Sequence, residues 1–238
     1  MPDNPLIVAL DLPRDEALAL ADSLRGTVRW LKVGMTLFYA EGPEIVARLR
    51  EKGFDVFVDL KLHDIPHQVG GAAAQIARLG AGMFTVHAAG GAAMMRAAVE
   101  SSRRAAEEAG LPAPAVLAVT VLTSTDDACL AEIGVERGSL EQVRLLAELA
   151  RHAGVDGVVC SPWEAAEMRL LLGESALVVT PGVRPAWAEA GDQARTSTPS
   201  DALAAGASHL VVGRPITAAP DPAEAASRIL AEIERGPQ

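Results

Sequence analysis

Short runs of apolar, often β-branched residues recur along the chain, and each is followed by a segment whose apolar positions return every three or four residues. Runs that are apolar on both faces suit strands of a parallel sheet, and the longer period suits helices packed over it. On this pattern strands are expected at residues 6–11, 29–33, 55–59, 83–87, 115–122, 157–161, 176–180 and 209–213. Amphipathic helices are expected at 15–25, 43–52, 68–79, 92–108, 140–152, 162–172, 199–205 and 222–235. Eight strand–helix units with no break in the alternation fit a closed (β/α)8 TIM barrel better than a doubly wound sheet. A single barrel domain over residues 1–238 follows, with no linker or low-complexity tract to divide it. Two connections exceed the usual short length, 123–139 after the fifth strand and 181–197 after the seventh. Long loops at that end of a barrel commonly bind or cover ligands.

Composition supports this architecture. Half of the residues are hydrophobic but only 3% are aromatic, so the core must be built from Ala, Val, Leu and Ile. The formal net charge of −10 argues against a nucleic-acid partner or an anionic membrane surface. An anionic ligand then needs local cations to override the global field. The two cysteines, Cys129 and Cys160, belong to no CxxC or Cys/His cluster, so neither a disulfide framework nor a zinc site is expected. Cys160 reads as a small buried hydrophobe. No basic-then-apolar leader opens the chain, and no apolar run approaches the roughly 18 residues of a bilayer span. A cytoplasmic protein is the expectation.

Polar residues cluster at the ends of the expected strands. The stretch Asp59-Leu60-Lys61-Leu62-His63-Asp64-Ile65-Pro66-His67 follows a core strand, so a carboxylate and an ammonium two residues apart project from one face at its mouth. Charges rarely enter such a strand unless paired or used. Asp11 ends the first strand, Lys32 lies near the end of the second, and His87 ends the fourth. Thr123 follows the fifth, Ser161 ends the sixth, Arg184 follows the seventh and Gly213-Arg214 ends the eighth. In a barrel all of these converge on the C-terminal face, where active sites lie. Gly213-Arg214 stands where barrel phosphate sites form: glycine admits close backbone approach, and a guanidinium adds a fork for phosphate oxygens.

Plainer readings stand beside these. Asp64, just ahead of Pro66, has the spacing of a helix N-cap, and Asp11 could cap the helix after the first strand. His63 and His87 fit hydrogen-bonded packing histidines, and Thr123-Ser124 fits a turn. Lys32 and Asp59 could form a structural buried pair, although desolvation makes such pairs poor stabilisers.

Taken together, Ala9-Leu10-Asp11, Leu31-Lys32-Val33-Gly34, the run Asp59 to Pro66, Thr123, Pro181-Gly182-Val183-Arg184, Gly191-Asp192-Gln193 and Val212-Gly213-Arg214-Pro215-Ile216 resemble the orotidine 5′-phosphate decarboxylase family. The resemblance runs in order from about Ile7 to Thr217. DxKxxD alone is shared with related sugar-phosphate barrels; Lys32 and the late Gly-Asp-Gln and Gly-Arg-Pro elements make the match specific. Arg195-Thr196 departs slightly, since a β-branched hydrophobe is more usual than Thr196.

The resemblance implies decarboxylation of orotidine 5′-phosphate to uridine 5′-phosphate, the last step of de novo pyrimidine synthesis, without cofactor or metal. It implies Lys61 as proton donor to C6 and Asp59 beside the substrate carboxylate. Lys32 and Asp64 would complete an alternating charge network, Asp64 reaching in from the partner subunit of a homodimer with Ile65 beside it. Asp11, Lys32 and Thr123 would contact ribose and pyrimidine, and Arg184, Gln193, Gly213 and Arg214 the 5′-phosphate. The chemistry suits these residue types. Loss of CO2 leaves an in-plane carbanion with no electron sink, so preorganised charge must stabilise it. Carboxylates beside Lys61 favour its ammonium, whereas a Schiff-base lysine needs a neutral amine, which argues against an aldolase. The nearest rivals, 3-keto-gulonate-6-phosphate decarboxylase and hexulose-phosphate synthase, resemble the chain at DxKxxD but use Mg2+ and typically carry a carboxylate where Lys32 stands. A cation there would repel the metal. A non-catalytic nucleotide-binding barrel is the rival of a different class.

Overall fold

In a computed structural model that describes residues 4–187 and 197–236, eight parallel strands close into a barrel in sequence order. The strands are β1 (Leu6–Ala9), β2 (Trp30–Gly34), β3 (Asp55–Leu62), β4 (Met83–His87), β5 (Ala115–Val119), β6 (Gly157–Val159), β7 (Leu177–Thr180) and β8 (His209–Val212), with β8 pairing back onto β1. The helices among the described residues are α1 (Arg14–Ser23), α2 (Met35–Glu41), α3 (Glu44–Glu51), α4 (Pro66–Arg78), α5 (Gly91–Ala109), α6 (Asp127–Glu132), α7 (Ser139–Ala153), α8 (Ala165–Leu172), α9 (Pro199–Ala204), α10 (Arg214–Thr217) and α11 (Pro222–Arg235). None is long and apolar enough to cross a membrane. The expected strand and helix positions therefore agree, apart from boundary shifts. Three short helices lie beyond the sequence pattern: α2, α6 and α10 each show too few turns for a period to register.

Alternation along the strands sorts side chains into two cores. Outward residues such as Leu31, Val58, Phe84 and Val116 pack under the helices. Inward residues Ile7, Trp30, Phe57, Met83, Leu117 and Val179 fill the barrel. Both faces are buried, which is why the strands read as continuous apolar runs. Trp30 and Lys32 share the inner face of β2, Phe57 and Asp59 that of β3, and Met83 and Thr85 that of β4. Each of these strands thus places an apolar residue at the floor and a polar one above it.

The helical shell is fixed by local chemistry. Asp221 accepts the Glu224 N–H at 2.9 Å and Pro222 opens α11, while α5 and α7 end at the left-handed glycines Gly110 (φ 65°) and Gly154 (φ 80°). A Cβ on Gly70 would lie 2.9 Å from Ser101 Oγ and 3.4 Å from the Ala97 carbonyl oxygen, so glycine there eases the close approach of α4 to α5.

Candidate active site

A cavity of about 550 Å³ opens at the C-terminal mouth of the barrel. Asp11, Lys32, Asp59, Lys61, Thr123, Arg184, Gly213 and Arg214 all line it. The expected convergence therefore holds for these eight. Apolar residues including Phe57, Val119, Val159, Cys160 and Val211 supply the rest of the wall and floor. Cys160 is buried as expected, and burial, with the charge of Glu164, pushes its thiol pKa well up, so it stays protonated.

The charged centre is a chain of alternating sign. Lys32 Nζ lies 3.3 Å from Asp11 Oδ1 and 3.6 Å from Asp59 Oδ2, and Lys61 Nζ lies 2.9 Å from Asp59 Oδ1. Lys32 and Asp59 are only 8% and 9% exposed, so water does little to screen them. Burial pushes the Asp59 pKa up, but Lys32, then Lys61, and hydrogen bonds from Lys61 and Thr85 outweigh it and hold the carboxyl below its ordinary value. A Cβ on Gly34 would stand 2.9 Å from Asp11 Oδ1 and 3.1 Å from Lys32 Nζ, so the glycine that ends β2 leaves room for the Lys32–Asp11 contact.

The expectation that β3 ends at Asp59 needs correction. The strand runs to Leu62 and is irregular between Val58 and Leu62. Among the described residues Lys61 is the one non-glycine at positive φ, 53°. Regular pleating therefore does not bring Lys61 onto Asp59; a local kink does. Thr85, unnoticed in the sequence, sits inside this kink: its Oγ1 donates to Asp59 Oδ1 and accepts the Lys61 N–H, each at 2.9 Å. One signal was available, since a threonine pointing into an apolar barrel needs a hydrogen-bond partner.

Several plainer readings resolve. Asp64 does not cap α4: its Oδ1 accepts only the adjacent Ile65 N–H at 2.6 Å, and the cap position is Ile65, because Pro66 already opens the helix. Asp11 does not cap α1, whose cap position is Pro13 without a side-chain bond. Asp64 and Ile65 are exposed and lie outside the cavity lining of their own chain. The His63 and His87 rings lie with centroids 5.5 Å apart and planes tilted by 39°. Burial, then His63 and Lys61, lower the His87 pKa against the pull of Asp59. Ser161 is buried but absent from the cavity wall; its N–H goes to Glu164 Oε2 at 2.9 Å, at the start of a 3-10 turn. Thr123 and Ser124 both form a turn and face the cavity.

At the far side of the cavity, Gly213 is the residue before α10, and Arg184 and Arg214 line the same wall. Burial and the charge of Arg214 lower the Arg184 pKa, so the two guanidinium groups sense each other. A Cβ on Gly213 would meet only Ala9 Cβ, at 3.8 Å; the fold itself leaves space there. The stem of the long loop after β7 is closed by the Val183–Ser197 bridge and by the Arg184 N–H to Ser197 carbonyl bond of 2.9 Å. Gln193, with Gly191, Asp192, Arg195 and Thr196, lies outside the described residues.

Comparison with known proteins agrees on one family. Residues 4–229 match the model of the orotidine 5′-phosphate decarboxylase / HUMPS family. A protein of Paramagnetospirillum magneticum named orotidine 5′-phosphate decarboxylase is 52% identical over 231 residues, covering 97% of this chain and 98% of the relative. One of the same name from Moorella thermoacetica is 53% identical, with 97% and 92% covered. A crystal structure of orotidine 5′-phosphate decarboxylase from Lactobacillus acidophilus superposes with a TM-score of 0.86 at 41% identity, over 97% of this chain and 99% of that one.

Proposed function

The chain belongs to the orotidine 5′-phosphate decarboxylase / HUMPS family, and on that premise we propose that it is a carboxy-lyase converting orotidine 5′-phosphate to uridine 5′-phosphate and CO2, without cofactor or metal. The observation that carries this reading is the Lys32–Asp59–Lys61 chain, buried at Lys32 and Asp59, in a cavity whose other wall holds Arg184, Gly213 and Arg214. Two near guanidinium groups and a glycine with space above it suit a phosphate, which anchors the substrate away from the reacting carbon.

In this reading the C6–carboxylate bond breaks and its electron pair stays on C6. The Lys61 ammonium stabilises that pair and then transfers a proton to C6. Asp59, held ionised, keeps Lys61 in place and lies beside the departing carboxylate. Its contribution to raising the ground state is a separate effect. Asp11, Lys32 and Thr123 contact ribose and base, and Gln193 is assigned to the phosphate. Lys32 stands between Asp11 and Asp59, where a magnesium-dependent relative needs a cation-binding carboxylate; its ammonium disfavours that alternative.

Asp64 and Ile65 are assigned to the site of a second copy in a homodimer. Both are exposed, and Ile65 (61%), Met35 (46%) and Tyr39 (74%) place large apolar surface just beyond the adjacent strands β2 and β3. We read the chain as one barrel domain acting in the cytoplasm. The decisive test is decarboxylation followed by ultraviolet loss in the presence of EDTA. Turnover of orotidine 5′-phosphate that ignores the chelator is expected, and EDTA-sensitive turnover of a sugar phosphate instead would overturn the assignment. For the shared site, mixing inactive Asp59→Ala and Asp64→Ala proteins should restore activity in heterodimers. No recovery despite demonstrated subunit exchange would assign Asp64 elsewhere.

A further inference from the structure

We propose that Thr85 is a positioning residue for Lys61: its hydroxyl fixes the kink of β3 that turns the Lys61 ammonium onto Asp59. The kinetic part of this proposal rests on the decarboxylase reading, while the structural part stands without it. Val58 is in register with Phe84, and Leu62 with Val86, so four steps along β3 span two along β4. Asp59, Leu60 and Lys61 together lie opposite one residue, Thr85. A backbone N–H that loses its ladder partner in a buried strand needs another acceptor. Thr85 is 1% exposed, so bulk water is not that acceptor.

The direction of each bond follows from the groups present. The Lys61 N–H can only donate, so Thr85 Oγ1 accepts it, at 2.9 Å. The ionised Asp59 can only accept, so the hydroxyl proton points to its Oδ1, also at 2.9 Å. The same Oδ1 receives Lys61 Nζ at 2.9 Å. Backbone, hydroxyl, carboxylate and ammonium thus close a ring that returns to Lys61. Its left-handed φ of 53° is one that residues with a Cβ adopt only when their surroundings enforce it. One hydroxyl sets both the backbone that aims the ammonium and the oxygen it is aimed at.

The test compares Thr85→Val, which keeps the shape and removes the hydroxyl, with Thr85→Ser, which keeps the hydroxyl. In Thr85→Val, kcat should fall by about tenfold or more, while KM and the affinity for uridine 5′-phosphate stay within about threefold. Thr85→Ser should stay within about threefold of the parent in kcat. Independently of activity, amide hydrogen exchange at Lys61, followed by NMR, should quicken by about tenfold or more in Thr85→Val and stay slow in Thr85→Ser. Should Thr85→Val not fold, Thr85→Ala provides the same loss of hydroxyl without added bulk. Unchanged exchange, unchanged kcat in the hydroxyl-free variant, or a serine variant as impaired as the valine would each overturn the proposal. If the parent protein itself does not turn over orotidine 5′-phosphate, the functional reading fails, and the exchange comparison still decides the role of Thr85.

Discussion

The two ends of the barrel interior solve the same problem in opposite ways. At the mouth, Lys32 and Asp59 are nearly as buried as the core and carry opposite charges 3.6 Å apart, with Lys61 and Asp11 extending the series. At the opposite end, His209 meets Trp30 edge-on at 6.0 Å, has Ser208 Oγ 3.2 Å from its Nδ1, and forms no ion pair among the described residues. Burial, with some repulsion from Arg29, lowers its pKa to about 4, so it is neutral. A buried group thus keeps its charge only where a partner of opposite sign compensates the lost water. Between the two ends, Trp30, Phe57 and Met83 lie two residues before Lys32, Asp59 and Thr85 on the same strands. Stability is concentrated in that apolar floor, and on the proposed function the polar layer above it carries the chemistry, because paired buried charges stabilise a fold poorly but serve well as a preset field.

If this division is right, substitutions above and below the floor should separate activity from stability. The largest effect is expected for Lys61→Ala: kcat should drop by about a thousandfold or more with affinity for uridine 5′-phosphate largely kept. Near-normal turnover in steady-state assays would remove Lys61 as the proton donor. Next, Met83→Ala should cost about 2–5 kcal/mol in urea unfolding by leaving a cavity in the floor, with kcat per folded molecule little changed. A collapse of kcat with stability intact would break the separation.

The smallest effect concerns His209. Its folded pKa of about 4 lies below the unfolded value near 6.5, so the unfolded chain binds the extra proton between those limits. Its contribution is complete above about pH 6.5 and is lost as pH falls towards 4. Comparing unfolding free energies of the parent and His209→Gln across this window should give a gap that changes by on the order of 3 kcal/mol. A gap independent of pH would mean that His209 is not held neutral by burial.

The strand and helix succession was legible because a residue pattern buried on both faces has a period that does not depend on distant contacts. Boundaries were less so: β5 ends at Val119 rather than Leu122 and β1 at Ala9 rather than Asp11, since a strand stops where its neighbours' ladders stop. Asp11, Lys32, Asp59, Lys61, Thr123, Arg184, Gly213 and Arg214 were recognisable one at a time as polar residues at strand ends, and barrel closure is what joins them at one cavity. Ser161 has the same sequence setting and turns away to start a 3-10 segment.

The sequence by itself determined the barrel and the chemical inventory at its mouth, because hydrophobic period and residue type are local properties. Tertiary structure alone decided the kink at Lys61, the threonine that satisfies it, the glycine that leaves space for the Lys32–Asp11 pair and the neutrality of His209. Each of these depends on which atoms from other strands come within hydrogen-bond or van der Waals reach, and on how much water they exclude.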